Sequence, residues 1–462
     1  MKKILFVNMP IRINAKPNIL PLGPLILSTH LNKIGHDAEI LDLNSLRCDV
    51  NKMMDIVDEK ITDKKYDIIA MSGLITTLKY QEMVSKKSRD EYLISGGGLA
   101  TDIKDKLFEW IPNLDAINIG PGETSIDNIV EKNGSNTFYG ANADNIDEWD
   151  IDFSLADIGR YIHNPIWGSS AKNSSSAPFL MKRSLNSVSS RGCPYSCKFC
   201  DREATGGKKY VMRSASSLVD EMEKLIIDYD IDFLGYMDDN AILDTNRLIE
   251  FNKLINNRNI TLNWGAHARL DDIGRSEEKV KLLNDCNCIY LGFGGESANL
   301  DVLKQMNKGT LIQKYGIFKY EGREFPRIYV DALDYCRKYD IHSNLTWMMG
   351  YPSETLEQLK DTVSFILFME DEGYVEKRYN NRSMFVATAY PNTELFETPV
   401  VQRKIYKAFN NFKTYVYSLG DATKLISSND VVLNYSEISD DVFLEAKKYI
   451  EDDNIERILE LS

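Results

Sequence analysis

Three of the chain's seven cysteines fall within eight residues, in the stretch SRGCPYSCKFCDREATGG at 190–207. Cys193, Cys197 and Cys200 form C-x3-C-x2-C, which puts three soft, strong metal ligands on one loop. A structural zinc normally takes four ligands in two separated pairs, and no fourth Cys or His stands near these three. Three thiolates suit three corners of a four-iron four-sulfur cluster better, and they leave the fourth iron open to a further ligand. Cys48, Cys286, Cys288 and Cys336 read instead as small buried apolar residues.

The elements around the loop must position it. SLNSVSS (184–190) runs directly into the cysteines as a strand. FLGYMDD (233–239), LNWGAHA (262–268), CIYLGFGG (288–295), SNLTWMMG (343–350) and RSMFVATAY (382–390) repeat the pattern with helix-like segments between them. Six β/α units make a partial parallel barrel, whose chemistry lies at the strand C-termini. Upstream, KILFVN (3–8), AEILDL (38–43), DIIAMS (67–72), YLISGG (92–97) and AINIG (116–120) alternate with helical stretches, the pattern of an open, doubly wound parallel sheet. Ligands of such sheets sit beside the loops at the strand C-termini. Those loops carry Ser72-Gly73-Leu74, Gly96-Gly97-Gly98 and Gly120-Pro121-Gly122-Glu123, three places at one edge where backbone can approach a large ligand.

The fold class is therefore α/β. The expected domains are 1–134 (first sheet), 135–183 (a Ser-rich linker with a short helix at 154–161), 184–399 (partial barrel) and 400–462 (helical extension). The segment 305–327 offers Lys314, Tyr320, Arg323 and Arg327 either as contacts for an anionic substrate or as part of a solvated surface loop, the latter being the preferred reading. The formal charge of −14 argues against an extended phosphate-binding surface, so nucleic acid is not an expected partner. No apolar run approaches the length of a membrane span, and MKKILFVN reads as a first strand rather than a signal peptide. An odd cysteine count without disulfide density fits a reducing cytoplasm, the expected location.

With Phe199 before the last cysteine, the motif C-x3-C-x-aromatic-C at the first strand of a β/α barrel resembles the radical S-adenosylmethionine (SAM) superfamily. The resemblance implies a four-iron four-sulfur cluster whose open iron chelates SAM, and one-electron cleavage of SAM to a 5′-deoxyadenosyl radical. It implies SAM contacts from Phe199, from Asp238 and Asp239 of GYMDDN, from Arg269 of WGAHARLD and from Glu296 of LGFGGESAN. Gly350, Tyr351 and Pro352 of MGYPSET would form a turn over the adenine. For Asp238, Asp239 and Arg269, ion pairing around the barrel rim is the competing reading.

A five-stranded Rossmann-like domain ahead of such a barrel resembles the cobalamin-binding class of that superfamily, over roughly residues 1–400. The class implies that Pro10, Ser72, Gly73, Leu74, Thr76, Gly96, Gly97, Gly98, Gly120, Gly122 and Glu123 contact cobalamin. No D-x-H-x-x-G motif occurs, and His30 and His36 lie elsewhere, so no histidine ligand to cobalt is expected and the loop near Ser72–Thr77 would cover the lower face. The implied activity is C-methylation of an unactivated carbon. Its substrate would be a small molecule, lipid or peptide between the domains, and flavodoxin or ferredoxin would be the external electron donor. Alternatives are an oxidative cyclase or rearrangement enzyme and, from another class, a metal-binding regulatory module that does not cleave SAM.

Overall fold

The computed structural model describes residues 1–462 apart from 12–16, 18, 132–134, 163–181, 203–205, 309–311, 376–381 and 423–432. The first sheet comprises β1 (Lys3–Asn8), β2 (Asp37–Asp42), β3 (Ile68–Ser72), β4 (Tyr92–Gly96), β5 (Ala116–Ile119) and β6 (Thr137–Tyr139). Its order is β2-β1-β3-β4-β5-β6, with every neighbouring pair parallel. Strand residues alternate between two buried layers: Leu5, Val7, Ile69, Met71 and Leu93 feed one core, and Ile4, Phe6, Ile68 and Ile94 the other. Two buried faces explain why these strands read as continuous apolar runs. The strand order reverses between β1 and β3, the position where such sheets hold ligands.

The sixth strand, β6, carries the first domain past the expected boundary at 134 and into the stretch read as linker. Three residues give no usable periodicity, so pairing with β5 decides the matter. Much of the remaining linker (163–181) lies outside the described residues. The helix expected at 154–161 resolves into a 3-10 turn, Phe153–Leu155, and a short helix, Gly159–Ile162. Tyr161 of that helix donates its hydroxyl to Asp42 at the end of β2, and this contact docks the linker onto the sheet.

The second sheet contains β7 (Ser184–Ser187), β10 (Phe233–Tyr236), β11 (Asn263–Ala268), β12 (Cys288–Glu296), β15 (His342–Met349) and β16 (Met384–Val386). Their order, β16-β15-β12-β11-β10-β7, is sequential and wholly parallel, which makes an open six-stranded half-barrel. Four of the crossover helices start on sequence-legible caps. Ser214, Asp244 and Ser276 each accept a backbone N–H three residues on, and Thr355 and Gln358 close a capping box.

Two antiparallel ribbons decorate this frame: β8 (Ser190–Arg191) with β9 (Val211–Met212), and β13 (Ile317–Tyr320) with β14 (Arg323–Pro326). The second ribbon replaces the surface loop expected over 305–327. Its cations are in structural pairs: Arg323 with Asp361, and Arg327 with Asp331 at 2.8 Å.

The C-terminal region is helical, as read, and divides its packing. Asp440–Glu451 and the turn Ile455–Glu460 join the barrel core, whereas Pro399–Ala408 and Phe412–Ala422 join the core beneath the first sheet. Among the described residues no helix is long and apolar enough to cross a membrane.

Candidate active site

The cysteine loop leaves β7 and turns at β8, where backbone contacts hold it on several sides. Cys193 N donates to Gly207 O at 3.1 Å, Lys198 N to Met306 O at 3.0 Å, and Leu395 N to Lys198 O at 2.8 Å. Asn142 reaches over from the end of the first domain, its Nδ2 donating to Gly206 O and Lys209 O at 2.5 and 2.9 Å. Gly192, next to Cys193, has φ 76°, and a Cβ there would overlap the Lys209 carbonyl and stand 3.0 Å from that of Gly207. A Gly192→Ala variant therefore combines left-handed strain with a backbone clash, about 3 kcal/mol together. We expect a lower Tm and a severalfold loss of iron per chain after reconstitution, measured by a colorimetric iron assay.

Asp238 sits beneath the loop. It accepts Ser189 N at 2.7 Å, Ser190 Oγ at 2.6 Å and the Ser189 hydroxyl, while Arg247 Nη1 donates to Ser189 O at 2.7 Å. Burial pushes the Asp238 carboxyl up, against the pull of its serine donors. Its oxygens are thus spent on holding the strand that leads to the cysteines. Asp239 lies on the cluster side, where, after burial, its charge adds to the rise of the Cys193 and Cys200 thiols.

Cys193 and Cys197 are half-buried and Cys200 is the most exposed. Although the residue reaches solvent, the protein crowded around its sulfur, then charge on Cys197, Asp239 and Cys193, pushes the Cys200 thiol up to about 12. Three thiolates here need compensating cationic charge, and iron would supply it. Among the described residues no three His, Cys, Asp or Glu side chains close around a single-ion position. A lone zinc would hold its sulfurs about 3.8 Å apart, whereas a four-iron cluster takes each thiolate on a different iron. The donor set fits the cluster.

Arg269 is nearly buried at the end of β11. Its Nη1 lies 3.2 Å from Cys197 Sγ, its fork grips Asp271 at 2.8 and 2.9 Å, and its guanidinium covers the Tyr195 ring at 3.9 Å. Burial works against its charge, but Asp271 and the Cys197 sulfur more than offset this and hold the guanidinium well above its ordinary range. Arg269 is thus a donor to a cluster sulfur, with two of its nitrogens committed to Asp271.

A second buried cation, Lys308, lies at the same mouth. Its Nζ donates to Glu296 Oε1 at 2.9 Å and Gly294 O at 2.5 Å, and it stands 5.9 Å above the Phe199 ring. Phe199 itself packs against the apolar cluster that contains Met306, Tyr351 and Leu395. The turn after β15 places Gly350 at φ 83°, with Tyr351 and Pro352 buried. Gly350 N donates to Glu354 Oε2 at 2.7 Å, while Glu354 Oε1 is buried without a hydrogen-bond partner.

The glycine loops of the first sheet meet at a cavity of about 150 Å³. Ser72, Gly96, Gly97, Gly120, Gly122 and Glu123 all line it, above an apolar floor that includes Phe6, Leu27 and Ile94. Gly97 and Gly120 have φ 80° and 85° and each lies against neighbouring backbone, so both positions require glycine. Pro10, Gly73, Leu74, Thr76 and Gly98 lie outside this lining. Gly73 folds tightly over Thr77, Leu74 is exposed, and Gly98 opens the helix Gly98–Ile103.

One wall of the cavity belongs to the other domain. Arg191 of β8, two residues before Cys193, lines it and pairs with Glu123 at 2.9 Å, both side chains largely buried. Nearby, Asp102 of the first domain faces Asp201, which follows Cys200. Burial, then the charge of Asp201, pushes the Asp102 carboxyl well above its ordinary range. His30 and His36 are engaged elsewhere, with Asp127 at 2.9 Å and with Lys2 N at 3.1 Å.

Residues 187–366 match the model of the Radical SAM superfamily. The chain carries a radical SAM domain. Over 400 residues it is 23% identical to an uncharacterized methyltransferase of Pyrococcus horikoshii, covering 82% of this chain and 78% of that protein. It is 24% identical over 345 residues to the anaerobic magnesium-protoporphyrin IX monomethyl ester cyclase of Rubrivivax gelatinosus, covering 71% of this chain and 59% of the cyclase. The chain thus spans less than two thirds of the cyclase's length. Among solved structures, the radical SAM methyltransferase TsrM of Kitasatospora setae, with cobalamin and a [4Fe-4S] cluster bound, superposes with a TM-score of 0.63 at 15% identity. That match covers 88% of this chain and 75% of TsrM, and it shows that sheet, half-barrel and their order are shared. The radical SAM domain implies the four-iron cluster and SAM as cofactors.

Of the residues the geometry adds, Arg191, Lys308, Asp271 and Glu354, the first three do not stand out in the sequence. Glu354 has a signal there, as the last residue of the Gly-x-Pro-x-Glu turn. The other three acquire meaning only from partners brought together by the fold.

Proposed function

We propose that this chain is a cobalamin-dependent radical SAM C-methyltransferase. The observation that carries the reading is the shared wall: Arg191 of the cysteine ribbon lines the glycine-rich cavity of the first sheet and pairs there with Glu123. When bound, the cluster with SAM supplies a hydrogen-abstracting carbon radical, and methylcobalamin supplies a transferable methyl group.

Cys193, Cys197 and Cys200 hold the cluster, with Arg269 donating to the Cys197 sulfur. Lys308 and Glu296 offer opposite charges at the mouth, suited to the carboxylate and amino groups of SAM. Asp239 and the turn Gly350–Pro352 complete that pocket, and Phe199 backs the loop. The first-sheet cavity takes the nucleotide tail of cobalamin, with its apolar benzimidazole on the floor, and the glycine loops admit the amide side chains of the corrin. Leu74, apolar and exposed at the tip of the Ser72–Thr77 loop, offers no ligating atom to cobalt. The substrate lies between the two domains, and a one-electron protein donor supplies the reductant.

The test is anaerobic reconstitution with iron, sulfide and hydroxocobalamin, followed by desalting and metal analysis. Retention of about four irons and one cobalt per chain is expected, with label from methyl-labelled SAM appearing in a product one methylene heavier. Iron without cobalt, or a product of unchanged carbon count, overturns the methyltransferase reading in favour of a cyclisation such as the cyclase relative's name describes.

A further inference from the structure

The loop Ser72–Thr77 is supported from within its own domain by three backbone contacts. Met9 N donates to Ser72 O at 2.9 Å, Leu99 N to Gly73 O at 3.0 Å, and Thr77 N to Leu74 O at 2.9 Å. A further support comes from near the far end of the chain. In the helix Phe412–Ala422, Gly420 lies directly on the Thr76 backbone: a Cβ at 420 would stand 2.9 Å from the Thr76 carbonyl oxygen. That neighbour is main chain, so nothing flexible can move aside.

The same helix is fixed at both ends of its reach. Toward the first domain, Lys413 pairs with Glu82 at 2.6 Å and Phe412 packs on Trp110 with ring centroids 5.7 Å apart. Toward the barrel, the Tyr415 hydroxyl donates to Ala389 O and its ring stacks on Phe396 at 5.9 Å. Leu395, beside Phe396, donates its N–H to Lys198 O between two cluster cysteines. One helix therefore runs from the loop of the first sheet to the segment that braces the cysteine loop.

We propose that the helix Phe412–Ala422 is a spacer that sets the Ser72–Thr77 loop at the depth cobalamin requires, with Gly420 as the positioning residue. This rests on the cobalamin reading above. In a helix that faced solvent, Gly→Ala would raise stability, because alanine loses less backbone entropy on folding. At 420 the added methyl presses on Thr76 and displaces the loop, so stability and cofactor affinity move in ways that helix propensity alone does not account for.

The experiment titrates full-length wild type, Gly420→Ala and Gly420→Val with hydroxocobalamin, followed by absorbance under anaerobic conditions. Iron content and Tm are measured on the same samples. The expected result is an increase in Kd of about tenfold for Gly420→Ala and more for Gly420→Val, corresponding to about 1.4 kcal/mol per tenfold step, with iron per chain unchanged. An unchanged Kd in Gly420→Ala overturns the proposal. Parallel loss of iron and cobalamin also overturns it, because the glycine would then serve the whole fold. Failure of the wild type itself to bind cobalamin overturns the underlying cofactor reading instead.

Discussion

A Cys197→Ser variant is expected to emerge from anaerobic reconstitution with less than about one iron per chain, and with SAM cleavage reduced to background. The hydroxyl of serine is a poorer iron ligand than a thiolate, and this position has more to lose than its two companions. Cys197 Sγ is the sulfur that Arg269 approaches at 3.2 Å, so the substitution also replaces a thiolate facing a buried guanidinium with a neutral, shorter hydroxyl. Cys336→Ser serves as the contrast. That thiol is fully buried in the barrel core, and burial pushes it up to about 12, far from any ligating role. It should retain its cluster absorbance while losing some stability. Visible absorption, iron assay and 5′-deoxyadenosine formation read both variants. A Cys197→Ser protein that keeps its iron and cleaves SAM would remove the three-cysteine assignment.

The largest expected effect on stability belongs to Glu354. Its carboxyl is wholly buried, and burial pushes it up to about 8 from an ordinary value of 4.5, against the pull of the Gly350 and Tyr351 N–H groups. Between those two values the unfolded chain has released the proton while the folded chain still holds it. Stability is therefore fully present below about pH 4.5 and is lost as pH rises through about 8. The loss comes to about 5 kcal/mol, given about 1.4 kcal/mol for every tenfold difference in proton affinity between the folded and unfolded chain. A Glu354→Gln variant keeps an oxygen for Gly350 N and carries no charge. It should melt higher than wild type at pH 8.5 and show a much shallower fall of Tm from pH 6 to pH 9. Parallel pH profiles for the two proteins would show that Glu354 ionises freely in the fold.

Much of the architecture is legible in the sequence because it rests on local regularities. Most barrel strands lie within apolar runs of several residues, four crossover helices begin on recognisable caps, and the three cysteines lie close together in the chain. What escapes has a common physical cause. β6 is three residues long and is defined by hydrogen bonding to β5, so no periodicity announces it. Asp238 follows its strand into the barrel mouth, but its serine partners lie 48 and 49 positions earlier, and the sequence cannot say that they use its oxygens. Arg269 reads as available for a ligand, whereas in the fold Asp271, two residues away, fills its fork. The segment 305–327 reads as solvated because it is rich in charge. In the fold those charges pair along the ribbon and the helices it packs on, leaving Lys308, just outside the cations weighed, as the buried one.

The pairing of Arg191 with Glu123 has a consequence for how such enzymes can be recombined. The two halves follow one another in the chain and each carries its own parallel sheet, which invites their exchange as modules. Here the basic member is built into the ribbon that precedes the first cysteine, and the acidic member ends the Gly-Pro-Gly turn of the other half. A chimera that grafts this barrel onto a foreign first sheet inherits a stranded guanidinium unless the donor sheet also ends that turn in a carboxylate. Compatibility between halves can thus be screened at a single position before any hybrid is made.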